Sequence, residues 1–403
     1  MKTLLQTSFF LLLMVEICFA QWVQTNGPNS GIVKALVTSG NYLFAGTSEG
    51  GVFRSTNNGT SWIAINNGLT NLSVRSLAFS GSDFFAGTWG GGIFHSNNNG
   101  TNWAAINAGL TNLNVNAFAF LGNNIFAGTW DGVFISSNNG SNWTAVNNGL
   151  TQPGIYALIV SGTNLFAATD GSGVFLSTNN GASWTEVNNG LTCPFVYALA
   201  VLGTNLFAGT TVGLFLSTNS GTSWTEIVAG LPNFGGVFSF AISGTNIFCG
   251  TGWEGVFLSS NNGTSWTAVN SGLTNAYISS LVILGDILFA GTFDSGIWSR
   301  PLSEMITDVE DNEQLPSEYL LSQNYPNPFN SATAIQYSIP QRSNVTVKVY
   351  DILGNEVVTL VNEEKAQGVY TVNFDANNLA SGLYLYRIQA GTFIDTKKMI
   401  LLK

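Results

Sequence analysis

Short apolar runs separated by clusters of Gly, Asn and Ser fill most of the chain, four of them in every stretch of about forty residues. One unit reads Val74 to Phe79, Asp83 to Thr88, Gly92 to Ser96 and Trp103 to Ile106. These are strand lengths bounded by turn residues, and no window sustains a helical period. Four strands per repeat is the arithmetic of a propeller blade. In the first strand of each unit large residues (Leu77, Phe118, Leu158, Leu199, Phe240, Leu281) alternate with small ones (Ser76, Ala117, Ala157, Ala198, Ser239, Ser280). A sheet covered on both faces by neighbours interdigitates in that way.

Tryptophans mark the period: Trp22, Trp62, Trp103, Trp143, Trp184, Trp224 and Trp266 stand 40 to 42 residues apart. Each of the last six closes the pattern Ser-x-Asn-x-Gly-x-x-Trp, whose third residue is Asn57, Asn98, Asn138, Asn179, Asn219 or Asn261. An Asn side chain can accept hydrogen bonds from N–H groups ahead of it and close a turn, and Gly permits a left-handed backbone there. With the Trp ring packed beneath the turn, these residues are expected to hold blades together and to do no chemistry. The last unit supplies Ser280 to Ile283, Ile287 to Thr292 and Gly296 to Arg300, then stops before a Trp-bearing fourth strand. The first residues of the array, Trp22-Val23-Gln24, are an orphan fourth strand. Pairing the two completes a seventh blade and removes the exposed edges. The expected fold is therefore all-β, a seven-bladed β-propeller over residues 21–302 closed by its N-terminal strand.

Composition changes outside the array. Met1 to Ala20 has a basic start at Lys2, an apolar run from Phe9 to Val15, and Cys18-Phe19-Ala20 at its end. That is the plan of a secretory signal peptide cleaved after Ala20, too short to anchor as a membrane span. No later stretch has 18 consecutive apolar residues, so no transmembrane segment is expected in the mature chain. Residues 303–322, with Glu304, Asp308, Glu310, Asp311 and Glu313, read as an acidic linker. Residues 323–403 form a second, non-repetitive β module. Val345, Val347 and Val349 alternate there with Thr346 and Lys348, and Leu383 to Ile388 reads similarly, so a small immunoglobulin-like sandwich is expected.

Charged residues make up only 8% of the 403, and the net charge is −10. That balance argues against nucleic acid, whose phosphates need clustered Lys and Arg. A single histidine, His95, and three cysteines leave no material for a His- or Cys-built metal site or a His-dependent triad, and no cofactor is implied. Cys193 and Cys249, the two expected in the mature chain, are read as free thiols.

The repeated turn resembles the Asp-box, the bacterial neuraminidase repeat of sialidases, sortilin-type receptors and photosystem assembly factor-like propellers, from Trp22 to about Leu302. That family usually carries Asp where this chain has Asn; the amide keeps the acceptor oxygen and loses the charge. From about Leu315 the chain resembles the type A C-terminal sorting domain of the bacterial type IX secretion system. The matching pieces are Asn324-Tyr325-Pro326-Asn327-Pro328-Phe329, Val349-Tyr350-Asp351 with Gly354, Ser381-Gly382-Leu383-Tyr384, and Gly391 followed by Lys397-Lys398-Met399. This resemblance implies a bacterium of the Bacteroidetes–Chlorobi kind and delivery across the outer membrane by the type IX machinery. The product would be secreted or held at the outer cell surface.

Sialidase chemistry needs an arginine cluster, whereas the propeller holds only Lys34, Arg54, Arg75 and Arg300. Arg54 and Arg300 read as outer-surface residues of third strands, at the place of His95, Ile135 and Leu176. Turns between second and third strands carry Glu49, Asp131, Asp170, Glu254 and Asp294. A glycosidase needs two carboxyl groups about 5–10 Å apart, but no motif singles out a pair, and no catalytic residue is assigned. The same turns carry Trp89, Trp130, Trp253 and Phe293, and the first strands begin with a second ring, Lys34, Arg75, Asn116, Tyr156, Tyr197, Phe238 and Ser279. In a propeller both sets fall on one rim around the channel mouth, opposite the Asn-bearing turns. Exposed aromatics there suit stacking on a glycan or anchoring a protein. The expected function is non-catalytic binding at this rim. The alternatives are a glycoside hydrolase using rim carboxylates and a structural surface adhesin.

Overall fold

Each repeat folds as an antiparallel meander of four strands. The computed structural model describes residues 21–402 apart from 29, 153, 232–234, 295 and 311–317, so the expected signal peptide lies outside the described residues. Blade 1 consists of Val33–Ser39, Tyr42–Thr47, Gly51–Ser55 and Ile63–Ala64, hydrogen-bonded in that order. The inner strands of blades 2 to 7 are Val74–Ser80, Val115–Leu121, Ile155–Ser161, Val196–Leu202, Val237–Ser243 and Ile278–Leu284. Each inner strand packs on the next, and Ile278–Leu284 packs back on Val33–Ser39, which closes the ring.

The second strands show why the blades need one another. In Leu43-Phe44-Ala45, Phe44 enters the cluster shared with blade 2, while Leu43 and Ala45 enter the cluster shared with blade 7. Period-two alternation thus buries both faces, each against a different neighbour. Approach is close: a Cβ on Gly46 would lie 2.6 Å from Cγ1 of Val74 in the next blade. Cys249 takes the place of Ala45 in blade 6 and, like Cys193, is a buried free thiol.

Five of the seven tryptophans fasten blade to blade, while the Trp62 indole N–H is buried without an acceptor among the described residues. Indole N–H groups of Trp103, Trp143, Trp184 and Trp224 donate at 2.7–2.8 Å to the carbonyls of Ile65, Ile106, Val146 and Val187. Each of those carbonyls lies just beyond the fourth strand of the preceding blade. Trp266 departs from the scheme and donates to Gly263 at 3.2 Å. The fourth strand before it, Thr225–Ile227, is one residue longer than its counterparts. Trp22 belongs to the set: Val23–Gln24 pairs with Ile297–Pro301 as the fourth strand of blade 7, and the Trp22 indole donates to Val269 at 2.6 Å.

The Asn-bearing turns use the amide at both ends. Asn179 Oδ1 accepts the Ser177 hydroxyl and the Ser183 N–H, each at 2.9 Å, while Nδ2 donates to Ser183 Oγ at 2.9 Å. The N–H of Gly181, at φ +78°, donates to Ser177 Oγ at 2.9 Å. The Nδ2 bond recurs at Asn57, Asn219 and Asn261. The serine hydroxyl that accepts from this amide can also donate, so the turn holds with either an amide or a carboxylate at its third position.

Arg300 overturns its expected place on the outer surface. Register pairs Leu288 with Arg300 as it pairs Leu43 with Ser55, so Arg300 replaces the first serine of the turn and stands one position beyond Arg54. Its side chain is fully buried, donating to the carbonyls of Val269 at 3.2 Å and Glu304 at 3.4 Å, with the Glu304 carboxylate 3.7 Å away. Blade 7 has no Asn-bearing turn, and a helix, Leu302–Glu310, follows instead, burying Leu302 and Met305. The stretch read as linker therefore begins helical. It ends in a strand, Leu320–Leu321, of the second unit.

That second unit is a sandwich. Leu320–Leu321, Ala332–Ile339 and Gly368–Asp375 form one sheet. Glu356–Lys365, Ser343–Tyr350, Gly382–Ala390 and Phe393–Leu401 form the other. Ile335, Tyr337 and Phe374 meet Val345, Val347 and Ile388 in a common core. The opening Asn324 is buried, its N–H donating to the Tyr386 hydroxyl at 2.8 Å, while that hydroxyl donates to the Ser322 carbonyl at 2.7 Å.

Two stability changes follow. Trp22→Ala should lower unfolding free energy by about 3–5 kcal/mol, as removal of a buried Trp does, measured by denaturant titration of the full chain. Asn179→Ala should cost about 1–2 kcal/mol through its lost acceptor bonds, and Asn179→Asp should cost less because Oδ1 is kept.

Candidate binding face

Every inner strand opens with a β-bulge. In blade 1 Val33 pairs with Thr47 and Ala35 with Gly46, leaving Lys34 as the extra residue. Arg75, Asn116, Tyr156, Tyr197, Phe238 and Ser279 are the extra residues of the other six. A bulge breaks the two-residue alternation and re-aims a side chain. Here it turns seven side chains, one per blade, to the mouth of the channel, where with Tyr277 they line a cavity of about 350 Å³. Asn116 and Ser279 also tie bulge to bulge: Asn116 Nδ2 donates to Ile155 O at 2.9 Å, and Ser279 Oγ to Val33 O at 2.5 Å.

An arc of rings surrounds this mouth. Trp89, Trp130, Tyr156, Tyr197, Phe238, Tyr277 and Phe293 follow one another with centroids 4.6–5.7 Å apart, most of them tilted or edge to face. Such geometry suits the ring quadrupoles. A cation stands over each end: the Arg75 guanidinium lies 4.5 Å from Trp89, and Lys34 Nζ lies 5.6 Å from Phe293. Burial, then the charge of Arg75, holds the Lys34 ammonium below its ordinary pKa, and burial lowers Arg75. Burial and then the Asp170 charge push Tyr156 up to about 12 and raise Tyr197; burial raises Tyr277 too. All three hydroxyls therefore remain donors at neutral pH.

The residues expected on the rim do not all play one part. Trp89, Trp130 and Phe293 directly follow the second strands, and their N–H groups donate to Ser73, Asn114 and Tyr277 just before the inner strands. Trp253 sits one residue further along its turn. It is 68% exposed and meets only the Tyr277 edge of the arc, at 5.4 Å, so it flanks the arc instead of belonging to it. Trp253, Tyr277, Phe293 and Asp294 wall a second cleft of about 390 Å³. Phe293 and Asp294 in turn border a third cavity, of about 560 Å³, with Glu49 and Gln24. The structure thus brings two of the five turn carboxylates, Glu49 and Asp294, along one cavity, while Asp131, Asp170 and Glu254 belong to blades 3, 4 and 6. Sequence reasoning missed Tyr277, although an aromatic directly before an inner strand was visible. His95 pairs with Asp83 at 2.6 Å on blade 2 and takes no part. Among the described residues no group of three or more His, Cys, Asp or Glu could hold a metal ion, and no helix is long and apolar enough to cross a membrane.

Residues 323–402 match the family model of the secretion system C-terminal sorting domain, and residues 93–196 match that of the DUF6242 β-propeller domain. No curated protein gives a match. Among solved structures, PorZ, an essential surface component of the type IX secretion system of Porphyromonas gingivalis, shares the fold at 17% identity and TM-score 0.55. The alignment covers 94% of this chain and 61% of PorZ, so the chain spans less than two thirds of that protein. YCF48 from Cyanidioschyzon merolae aligns at 16% identity and TM-score 0.57, over 71% of this chain and 99% of its own. A GH74 xyloglucanase from Xanthomonas campestris aligns at 14% identity and TM-score 0.56, over 79% and 59%. At these identities the likeness is one of fold. Seven sheets joined in a ring and a matched terminal module together make this chain a β-propeller protein that carries a secretion system C-terminal sorting domain.

Proposed function

We propose that the propeller is a non-catalytic recognition module whose binding face is the channel mouth and its aromatic arc. The observation that carries this reading is the set of seven bulges, one per blade, that aim seven side chains into one cavity. A regular sheet has no need of them, and each costs a ladder bond. What they furnish is a rigid mouth of ring faces and hydroxyl donors, the composition of a binding surface. Among the described residues no carboxyl group lines that mouth. A YCF48 structure with a bound D1 peptide supports the idea that a propeller of this shape can serve as a receptor. The sorting domain supports export of the mature protein by the type IX machinery, to the cell surface or the medium.

A second reading, glycoside hydrolysis, draws on Glu49 and Asp294 along one cavity and on the GH74 fold likeness. It places activity at the seam between blades 7 and 1 and not at the mouth.

Trp89→Ala combined with Trp130→Ala should weaken binding to cell-surface glycans or proteins at least tenfold, about 1.4 kcal/mol, with the fold retained by circular dichroism; unchanged binding would remove the mouth from consideration. Release of sugar from xyloglucan or host polysaccharides, lost in Glu49→Gln and Asp294→Asn, would establish the hydrolase reading instead. Deleting residues 323–403 should leave the propeller in the periplasm, as read by fractionation.

A further inference from the structure

Charge in the propeller is scarce and unevenly placed. Between residues 21 and 302 there are four Lys or Arg and nine Asp or Glu. Of the four, Arg300 is buried beneath the helix after blade 7, and Arg54 lies over the Tyr42 ring. The other two, Lys34 and Arg75, come from the bulges of adjacent blades and line the same cavity. Neither makes an ion pair among the described residues. The acid nearest in influence, Asp170, acts on Tyr156 and Tyr197 across the mouth. Two like charges in half-buried positions of one cavity repel each other, and the ring faces of Trp89 and Phe293 against which they lie neutralise neither.

Unanswered donors lie beside them. Nε of Arg75 and Nε1 of Trp130 are buried with no acceptor among the described residues. An anionic, acceptor-rich group would satisfy the cations and these donors together. The rest of the lining narrows the class. Tyr156, Tyr197 and Tyr277 offer hydroxyls and ring surface, which suit the hydroxyls and C–H faces of a sugar. Tyr277 borders both the mouth and the Trp253 cleft, so one ligand can run from the first into the second.

Resting on the mouth as the binding face, we propose that the ligand is an acidic saccharide. A uronate ring seats in the channel mouth with its carboxylate against Lys34 and Arg75, and the chain continues over Tyr277 into the cleft beside Trp253.

Calorimetric titration of the chain from residue 21 onward tests this. The probes are oligomers of galacturonate and of glucuronate, their methyl esters, and peptides ending in a free carboxylate. The acids should bind about ten- to a hundredfold more tightly than their esters, and more weakly as salt rises. Arg75→Gln and Lys34→Met should each erase most of that difference between acids and esters, with far-UV circular dichroism and an unchanged thermal midpoint showing that the variants are folded. Trp253→Ala should weaken hexamers more than dimers. Equal affinity for acids and esters, no binding of either, or preference for the peptides would overturn the proposal. If the Trp89/Trp130 double variant still loses binding to some other ligand, only the acidic saccharide is lost. If that variant loses nothing, the mouth reading falls with it.

Discussion

A blade of this protein has no core of its own. Its second strand is buried on both faces, and each face is covered by a different neighbour, so the six apolar clusters seen among the described residues of the propeller each belong to two blades. An open array would leave one such face bare at each end, as linear repeat proteins do unless capped. Closure is therefore the condition on which the remaining structure depends. It is met by Trp22, whose indole bonds the Val269 carbonyl as those of Trp103, Trp143, Trp184 and Trp224 bond theirs, and by Val23–Gln24 on the edge of blade 7. Arg300 reinforces the same carbonyl from the other terminus of the propeller.

Closing the ring and building the channel mouth are one event. Lys34 comes from blade 1 and Phe293 from blade 7, and their contact spans the seam. Ser279 Oγ of blade 7 reaches Val33 O of blade 1 beside the bulge that carries Lys34. The arc of rings thus ends on a cation that is in place only when the first and last repeats meet. Seven inner strands, each packed on the next, frame that mouth. The rim residues can vary from blade to blade because the bulge, and not the side chain, determines where each one points.

Much of this was legible in the chain. Periodic Trp and Asn-Gly turns announced the blades, and the orphan Trp22 strand announced the closure, because both follow from local patterns repeated many times. The ring of Lys34, Arg75, Tyr156, Tyr197 and Phe238 was visible as a column of non-aliphatic residues at strand starts. Its cause was not, since a bulge is a property of pairing between two strands and leaves no mark in one strand alone. Tyr277 was missed because its counterparts, among them Ile32, Ser73 and Gly236, share no chemistry; its place becomes plain only beside Phe238 and Phe293. Arg300 was misplaced by one residue, which in a strand exchanges outside for inside. The helix after it escaped notice because about two and a half turns are too short for periodicity to speak.

The central claim is that seven blades without cores of their own fold as one closed unit. Native-state hydrogen exchange on the intact chain tests it most directly, since it reads the opening free energy of each strand separately. The account predicts that inner-strand amides of all seven blades open with a single free energy, equal to that of global unfolding of the propeller. Blades that open at graded free energies, each independent of its neighbours and unmoved at the 7–1 seam, would contradict it.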